Sequence, residues 1–440
     1  MAAASPSQFF DPFFSRKQAI PSDGLTASPG HEKTEDGKLV APRKPEFTNT
    51  LPVTGQGTVA VSSDARNLLS IAVETNLDGG PILHLDIGNS DFLFYFDTAA
   101  GKQEIPYVFV KSKDACYLDA GKPTTYWLSL DQDNGILRYG KYYTNKAMTL
   151  VEARLKRLNK DGLQVWDDPP KFSWLSNTKK IQIIQDESGT QITPIINPLP
   201  IVIDRSPFVL SADKVTLLDL EKGTYTAPVN LPEACQVLYG NVAGANIVLN
   251  DDDFPDFSDA IQRSCITEGC WAYNKLKEKQ GEFGSDPNGT YLRITLGYNL
   301  GDSPGIPYVL EIWPSKHYSP IHDHGNACAV IKVLHGDINC TWYTSLSSPC
   351  VLGSANLKKG MVTWIGDENY QVHKLHNETP GVCATIQCYR YPDADNVHYD
   401  AFNWIDGQGE VKPFPPNSDL AFGEFRETMR REWEGASGGR

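Results

Sequence analysis

Histidines are concentrated in one part of the sequence, and their spacing predicts a metal site. Seven of the nine histidines fall between residues 317 and 398. His322 and His324 are separated by one residue in a strand-like segment, so both rings should project from the same face. A neighbouring strand in a barrel can bring His373, in the later stretch VHKLHN, to the same metal and leave coordination positions open.

An HxH pair alone is common on protein surfaces, so the surrounding residues decide its interpretation. Two groups of residues resemble the two sequence motifs of the cupin family, in the right order: His322, His324 and Gly336, then Gly360, His373 and Asn377. The resemblance implies a cupin barrel. It favours His373 over His376 as the third ligand, because only His373 is followed by Asn four residues later.

A closer resemblance, over roughly residues 250–410, is to the cysteine dioxygenase family of cupins. It rests on WPSKHYSPIHDHGNACAVIKVLHG, on ATIQCYRYP and on the following HYDAF. It implies a mononuclear Fe(II) held by His322, His324 and His373, without the Glu ligand of other cupins; positions 328 and 329, where that Glu would fall, are Cys and Ala. The implied reaction adds both atoms of O2 to the sulfur of L-cysteine, giving cysteine sulfinate, and needs no external electron donor.

The same resemblance nominates residues that would handle the substrate. Tyr389 falls where the family carries a tyrosine that reaches substrate and oxygen, which implies a positioning or proton-handling role. Tyr291 and Arg293 match a Tyr-x-Arg pattern whose guanidinium pairs with the substrate carboxylate. An alternative alignment through Tyr298-Asn299-Leu300 puts tyrosine at the arginine position, and it favours a substrate without a carboxylate.

Departures from the family pattern concern three residues behind the site. Cys328 lies one residue before the position of a cysteine that crosslinks to the tyrosine in animal-type members, and a one-residue shift on a strand reverses its facing. Gln387 replaces the histidine of a Ser-x-His-x-Tyr relay, so Thr385-x-Gln387-x-Tyr389 keeps hydrogen bonding but loses a titratable group. We therefore expect three residues to lie around the site: Thr385, Gln387 and Cys328.

Changes in composition and in hydrophobic periodicity along the chain predict three parts of a mainly β protein. Residues 1–52 are proline-rich without helical or strand periodicity, as in a disordered tail. Residues 53–245 carry many short β-prone runs, typical of a β-sandwich. Residues 246–440 begin with two short helices divided at Gly269 and continue as strands, in agreement with a cupin (double-stranded β-helix) barrel.

Within the predicted sandwich, TTYWLSLDQDNGILRYGKYY predicts a hairpin turning at Asp133-Asn134-Gly135. The segment resembles modules of the farnesoic acid O-methyltransferase-like type, and no site residue is assigned from that resemblance. Trp127 and Tyr142, if exposed, would bind a protein or carbohydrate ligand; aromatic residues buried in the core are the commoner case.

Composition excludes several classes of protein. A length of 440 residues predicts at least two domains, and a net charge of −14 with a pI near 5.1 opposes binding to nucleic acid or an anionic membrane. No apolar run is long enough to cross a bilayer, no signal peptide is evident, and the nine cysteines lack a CxxC pair, which favours a soluble cytoplasmic protein with reduced thiols.

The leading hypothesis is an Fe(II)-dependent thiol dioxygenase acting on L-cysteine. Three alternatives remain: another small thiol such as 3-mercaptopropionate or cysteamine, a dioxygenase for a non-thiol substrate, and a non-catalytic metal-binding cupin whose sandwich recognises a partner.

Overall fold

The structure is a computed structural model, and it describes residues 47–160, 163–202, 204–296, 308–347, 349–391 and 402–437. These residues form two compact units that meet in sequence at Asp204 and Arg205. In the ranges given, no helix combines the length and the apolar character required to cross a membrane.

The first unit is a β-sandwich. Its strands are β1 (Phe47–Thr50), β2 (Gln56–Ser63), β3 (Leu68–Thr75), β4 (Ile82–Gly88), β5 (Phe92–Thr98), β6 (Gly101–Glu104), β7 (Tyr107–Phe109), β8 (Thr124–Asp131), β9 (Ile136–Lys141), β10 (Thr149–Arg154), β11 (Lys156–Leu158), β12 (Gln164–Trp166), β13 (Thr178–Gln185) and β14 (Ile192–Asn197), with one short helix, α1 (Pro169–Phe172). Two six-stranded sheets have the orders β1-β13-β3-β4-β5-β6 and β14-β2-β8-β9-β10-β7. Alternate residues of both sheets enter one shared apolar core, which makes the unit a sandwich.

The predicted hairpin is present between β8 and β9. Asp131 pairs with Ile136 across the turn, and the Asp131 carboxylate accepts hydrogen bonds from the Asn134 backbone (3.0 Å) and side-chain amide (2.7 Å). Gly135 has a φ of 63°, a left-handed conformation that glycine adopts without steric cost. The Asp-Asn-Gly signal is therefore confirmed.

The second unit contains two larger sheets and most of the helices. Its strands are β15 (Phe208–Val209), β16 (Leu292–Leu296), β17 (Tyr308–Trp313), β18 (Ile321–His322), β19 (Cys328–His335), β20 (Asp337–Tyr343), β21 (Val351–Lys358), β22 (Val362–Ile365), β23 (Val372–His376), β24 (Cys383–Arg390), β25 (Phe402–Ile405), β26 (Val411–Phe414) and β27 (Leu420–Ala421). Its helices are α2 (Leu217–Lys222), α3 (Glu233–Val242), α4 (Phe257–Ile266), α5 (Trp271–Glu278) and α6 (Phe422–Ser437). Helices α4 and α5 are the predicted pair, and Gly269 between them has a φ of 90°.

The strand order of the second unit is that of a cupin barrel. One sheet has the order β15-β22-β19-β24-β17-β16-β27 and the other β21-β20-β23-β18-β25-β26. From β17 to β25 the chain passes back and forth between the two sheets, with only the β20–β21 hairpin staying in one. This alternation produces a double-stranded β-helix, so the predicted cupin fold is confirmed.

The seven-stranded sheet has two chemically different faces. Even-numbered residues of β16, β17 and β24, together with Cys328 and Val330 of β19, join an apolar core with helices α3 to α6. Odd-numbered residues of β16, β17 and β24 point the other way, into the barrel, and include buried polar side chains: Arg293, Glu311, Thr385 and Gln387. Strand alternation thus separates a structural face from a polar interior.

Two boundaries differ from the predicted ones. β1 begins at Phe47 and pairs with β13, so the sandwich includes residues assigned to the tail, while residues 1–46 lie outside the described ranges. Residues 205–245 belong to the cupin unit and not to the sandwich, because β15 pairs with β22 (Phe208 with Thr363) and α3 packs on β19 and β24. Short strands and isolated helices carry little signal when their partners are distant in sequence.

Candidate metal centre

Three histidines meet inside the cupin barrel. Ligand atoms of His322, His324 and His373 all lie within 4.8 Å of one another, and all three residues are buried. Their ring centroids are 4.7–4.8 Å apart. His322 on β18 is the direct backbone partner of His373 on β23, so the register of this antiparallel pair places the two rings side by side. The three ligand candidates predicted from sequence are thus brought together.

The backbone conformation that positions His324 differs from the predicted strand. Strand β18 ends at His322, so His324 does not continue it. The chain turns immediately afterwards, with left-handed conformations at Gly325 (φ 55°) and Asn326 (φ 64°) and a hydrogen bond from the Ala327 amide to the His324 carbonyl (2.9 Å). The turn, and not strand periodicity, aims the His324 ring at its neighbours.

Hydrogen bonds fix the orientation of two of the rings. The Nδ1 atom of His322 lies 3.0 Å from the Pro320 carbonyl, and that of His324 lies 2.8 Å from the Gln371 carbonyl. Because a carbonyl only accepts, each Nδ1 must carry the proton and each Nε2 must present a lone pair. The Nε2 of His324 is buried and has no hydrogen-bond partner among the described residues. Such an orphaned acceptor beside two further imidazoles fits a metal ion.

The protonation states agree with this fit. Burial lowers the pKa of His322 to about 4, and it lowers the pKa values of His324 and His373 well below the usual range. The rings are therefore neutral near pH 7, as metal ligands must be. No carboxylate joins the three rings in the described part of the chain, so the group is a three-histidine set.

Gln371 is a supporting residue that sequence reasoning missed. Besides its carbonyl bond to His324, its side-chain oxygen accepts from the Asn326 amide (3.1 Å). Its side-chain nitrogen donates to the Ala327 and Gly366 carbonyls (2.9 and 2.6 Å). One fully buried amide thus holds both ends of the turn that carries His324. In the sequence, Gln371 is marked only by its position immediately before the strand VHKLH that carries His373.

A second buried group lies on the seven-stranded sheet and begins at Tyr389. This tyrosine stacks against His324, with ring centroids 6.1 Å apart, and its hydroxyl donates to the side-chain oxygen of Gln387. The Gln387 amide nitrogen donates to Oε2 of Glu311, and Oε1 of Glu311 accepts from Nη1 of Arg293 at 2.5 Å. All four side chains are at least nine-tenths buried, with exposures of 2–6%. They form a continuous polar chain that ends beside the histidines.

Glu311 was not identified from the sequence, although it occupies the centre of this chain. The pairing of β16 with β17 sets it directly opposite Arg293, and Thr385 lies opposite it on β24. Burial raises its pKa to about 7, against the opposing charge of Arg293. Its sequence signal is the one charged residue in the otherwise apolar strand YVLEIW, since a charge at a buried strand position requires a partner.

The two residues predicted to bind substrate, Arg293 and Tyr291, are both buried and already engaged by other side chains. Arg293 lies in the barrel near the histidines, where its charge contributes to the lowered pKa of His322, but its guanidinium is already paired with Glu311. The ring of Tyr291 stacks on Trp313 with centroids 4.2 Å apart. The alternative segment Tyr298-Asn299-Leu300 lies outside the described residues.

Two of the residues expected around the site have clear outcomes. Thr385 faces the barrel and accepts a hydrogen bond from the Trp313 indole at 3.2 Å. Cys328 faces the opposite side of the sheet, where it lies in the apolar core and its thiol interacts with that of Cys235. The residue paired with Tyr389 is Ala329. Placing Cys328 near the site was therefore wrong, and a crosslink from it to Tyr389 is excluded by strand facing.

Of the two aromatic residues considered for ligand binding in the sandwich, one is buried and the other is partly exposed. Trp127 is fully buried and its indole donates to the Tyr143 carbonyl at 3.0 Å, so it is a core residue. Tyr142 is partly exposed and adopts a left-handed backbone with a φ of 68°.

Comparisons with known proteins provide little beyond this geometry. No protein-family model matches the sequence, and no curated protein matches it. Solved structures that align include oxalate oxidase in complex with glycolate (18% identity, 24% of this chain and 53% of that chain, TM-score 0.20). Others are the Schizosaccharomyces pombe Cnp3 cupin domain (12% identity, 23% of this chain and 64% of that chain, TM-score 0.19) and an uncharacterised Klebsiella pneumoniae protein with a double-stranded β-helix domain (17% identity, 26% and 88%, TM-score 0.20).

This chain therefore spans about half the length of the oxalate oxidase that it aligns with. TM-scores near 0.2 carry neither a function nor a site across to it. The cupin assignment rests on the strand order, and the candidate site rests on the three buried histidines.

Proposed function

We propose that the cupin unit is an Fe(II)-dependent dioxygenase of a small thiol. The overall reaction is RSH + O2 → RSO2H, in which the sulfur loses four electrons and O2 accepts them, so no further reductant is needed. The observation that carries the proposal is the convergence of three neutral histidines next to the buried hydroxyl of Tyr389, with no carboxylate joining them in the described residues. L-cysteine is the substrate that the sequence resemblance implies, and cysteamine and 3-mercaptopropionate are the alternatives.

The residues around the histidines would define the reaction space. An Fe(II) ion held by His322, His324 and His373 would supply a positive centre that binds a thiolate and activates O2. Carbonyls of Pro320 and Gln371 keep two of the rings in the tautomer that presents Nε2. The surrounding barrel side chains are buried and would exclude bulk water from the reacting atoms.

Tyr389 is the group best placed to handle a proton or orient the substrate. Burial raises its pKa well above the usual value, with the Glu311 carboxylate acting in the same direction, so the phenol stays protonated at neutral pH. Its hydroxyl donates to Gln387, which fixes the direction of the ring next to His324. To donate to a developing anion on sulfur or oxygen, the hydroxyl would exchange its hydrogen bond with Gln387 for one with the substrate.

Oxygen consumption by iron-loaded full-length protein tests the proposal. We expect uptake of one O2 for each sulfinate formed, detected by mass spectrometry, with at least one of L-cysteine, cysteamine and 3-mercaptopropionate. Tyr389→Phe should retain iron and lower kcat by about 10²-fold. Tyr308→Phe is the matched control and should not change kcat, because Tyr308 is the first residue of β17 and packs against the apolar core on the other face of the sheet. Iron-loaded protein that consumes no O2 with any of the three thiols would refute a thiol dioxygenase.

A non-catalytic metal-binding cupin is the second candidate, and Gln387 is the observation that favours it. Where the related family has a titratable histidine, this chain has an amide engaged at both ends by Tyr389 and Glu311. Recovery of tightly bound zinc with no turnover of any thiol would support this candidate over the first.

A further inference from the structure

The buried pair of Arg293 and Glu311 bears directly on which thiol the site accepts. Arg293 is 6% exposed and Glu311 is 2% exposed, and their Nη1 and Oε1 atoms are 2.5 Å apart. The second oxygen of Glu311 accepts from Gln387. The only guanidinium near the histidines in the described ranges is therefore neutralised by a carboxylate that belongs to the protein itself.

A substrate carboxylate at this guanidinium would meet an unfavourable charge balance. It would place two carboxylates around one arginine in a buried environment, where like charges repel strongly. A neutral group faces no such penalty. The Nε of Arg293 is buried and unpartnered among the described residues, so it has one N–H to donate to a neutral oxygen or other acceptor.

We propose that Glu311 is a specificity-determining residue that excludes thiols bearing a carboxylate at this position, so that the substrate is a small aminothiol or thiol amide. The inference rests on the proposed function, and it selects cysteamine-like substrates over L-cysteine and 3-mercaptopropionate. Glu311 acts on specificity by holding Arg293, and the reaction itself is unchanged.

A matched pair of thiols isolates the charge. L-cysteine carries a charged carboxylate where L-cysteinamide carries a neutral carboxamide of nearly the same shape. Assays at pH 8 keep Glu311 ionised, because burial raises its pKa only to about 7. For wild-type protein we expect kcat/KM for L-cysteinamide to exceed that for L-cysteine by about tenfold or more.

Glu311→Gln provides the decisive comparison, since intrinsic differences between the two thiols cancel when the same ratio is measured on two proteins. We expect the amide-to-acid ratio to fall by about tenfold or more in this variant, because Arg293 then becomes free to pair with the substrate carboxylate. Glu278→Gln, on the exposed surface of α5, is the control and should leave the ratio unchanged. Anaerobic calorimetric titration of each thiol into iron-loaded protein gives the same ratio from binding alone.

The outcomes separate this inference from the proposed function. Equal or better use of L-cysteine by the wild type, or a ratio that Glu311→Gln does not move in iron-loaded folded protein, overturns the inference and leaves a thiol dioxygenase standing. If Glu311→Gln fails to fold, the wild-type binding ratio still tests the inference, because a wild type that binds L-cysteine as tightly as L-cysteinamide, or more tightly, overturns it. If the protein binds L-cysteinamide preferentially but consumes no O2, the role of Glu311 in specificity is supported and the proposed dioxygenase function is refuted. Binding of no thiol overturns both.

Discussion

The sandwich and the cupin barrel are built from the same kind of element but differ in what their sheets enclose. Both have mainly antiparallel strands in two larger sheets, with side chains alternating between two faces. The sandwich encloses aromatic and aliphatic side chains; Phe92 stacks on Tyr139 with centroids 5.2 Å apart, and Phe96 lies 5.0 Å from Trp174. The barrel encloses three histidines and a chain of four polar groups. An interior that gives up apolar packing for buried polar groups is where function is expected.

Each unit also contains a buried Arg–Glu pair, and the two pairs differ in electrostatics. In the sandwich, Glu152 accepts from Arg138 at 3.0 Å and from Arg154 at 2.7 Å. Burial alone would raise its pKa, but the two arginines together lower the pKa below the usual value. In the barrel, Glu311 is more deeply buried, and burial raises its pKa against the lowering effect of Arg293 and Lys279. The less complete burial of Glu152 lets its two arginines keep that carboxylate a stable anion, whereas Glu311 is held at the edge of protonation.

The largest expected effect comes from removing a candidate metal ligand. His324→Ala should weaken Fe(II) binding by more than the ten- to hundredfold that residues behind metal ligands typically contribute, and it should abolish O2 uptake. His376→Ala is the matched control, because His376 lies on the same strand as His373 but is partly exposed and paired with Glu378 at 3.4 Å. Metal analysis after dialysis measures both. Stoichiometric iron in His324→Ala would contradict a three-histidine site.

The next effect tests whether the sandwich interior is only structural. Phe96→Ala removes a ring that is 2% exposed and packed on Trp174, and it should destabilise the sandwich by about 3–5 kcal/mol. Calorimetric unfolding of the full chain, with and without added Fe(II), identifies the sandwich as the transition that metal does not shift. Iron content should be unchanged. A fall in metal affinity would show that the two units are coupled.

A smaller effect tests the pH dependence of the Arg–Glu pair in the sandwich. Because the folded pKa of Glu152 is below its unfolded value, its charge stabilises the protein above about pH 4.5, and this contribution is lost as pH falls further. Glu152→Gln should therefore cost roughly 3 kcal/mol at pH 7 and progressively less in acid. Unfolding at pH 7 and pH 4 provides the measurement. The idea fails if the difference between wild type and variant grows as the pH is lowered.

Much of the candidate site could be predicted from sequence because its ligands follow local patterns. The His322-x-His324 spacing and the later His373 identified the three rings, even though a turn and not a strand orients His324. Glu311 was missed because its partner Arg293 is adjacent only through the β16–β17 pairing, and residues 297–307 between these strands lie outside the described ranges. Cys328 illustrates the opposite case: it was placed around the site, although β19 turns its side chain into the apolar core on the other face of the sheet.

The direct pairing of His322 with His373 has a consequence for how the site comes into being. The two rings are brought together by backbone hydrogen bonds between β18 and β23, so the binding geometry is preorganised by the sheet before any ion arrives. Little conformational entropy is then left to lose on binding. The cost is intolerance of insertions: one residue added within β23 ahead of His373 would turn its ring to the outside of the barrel and leave two ligands where three are required.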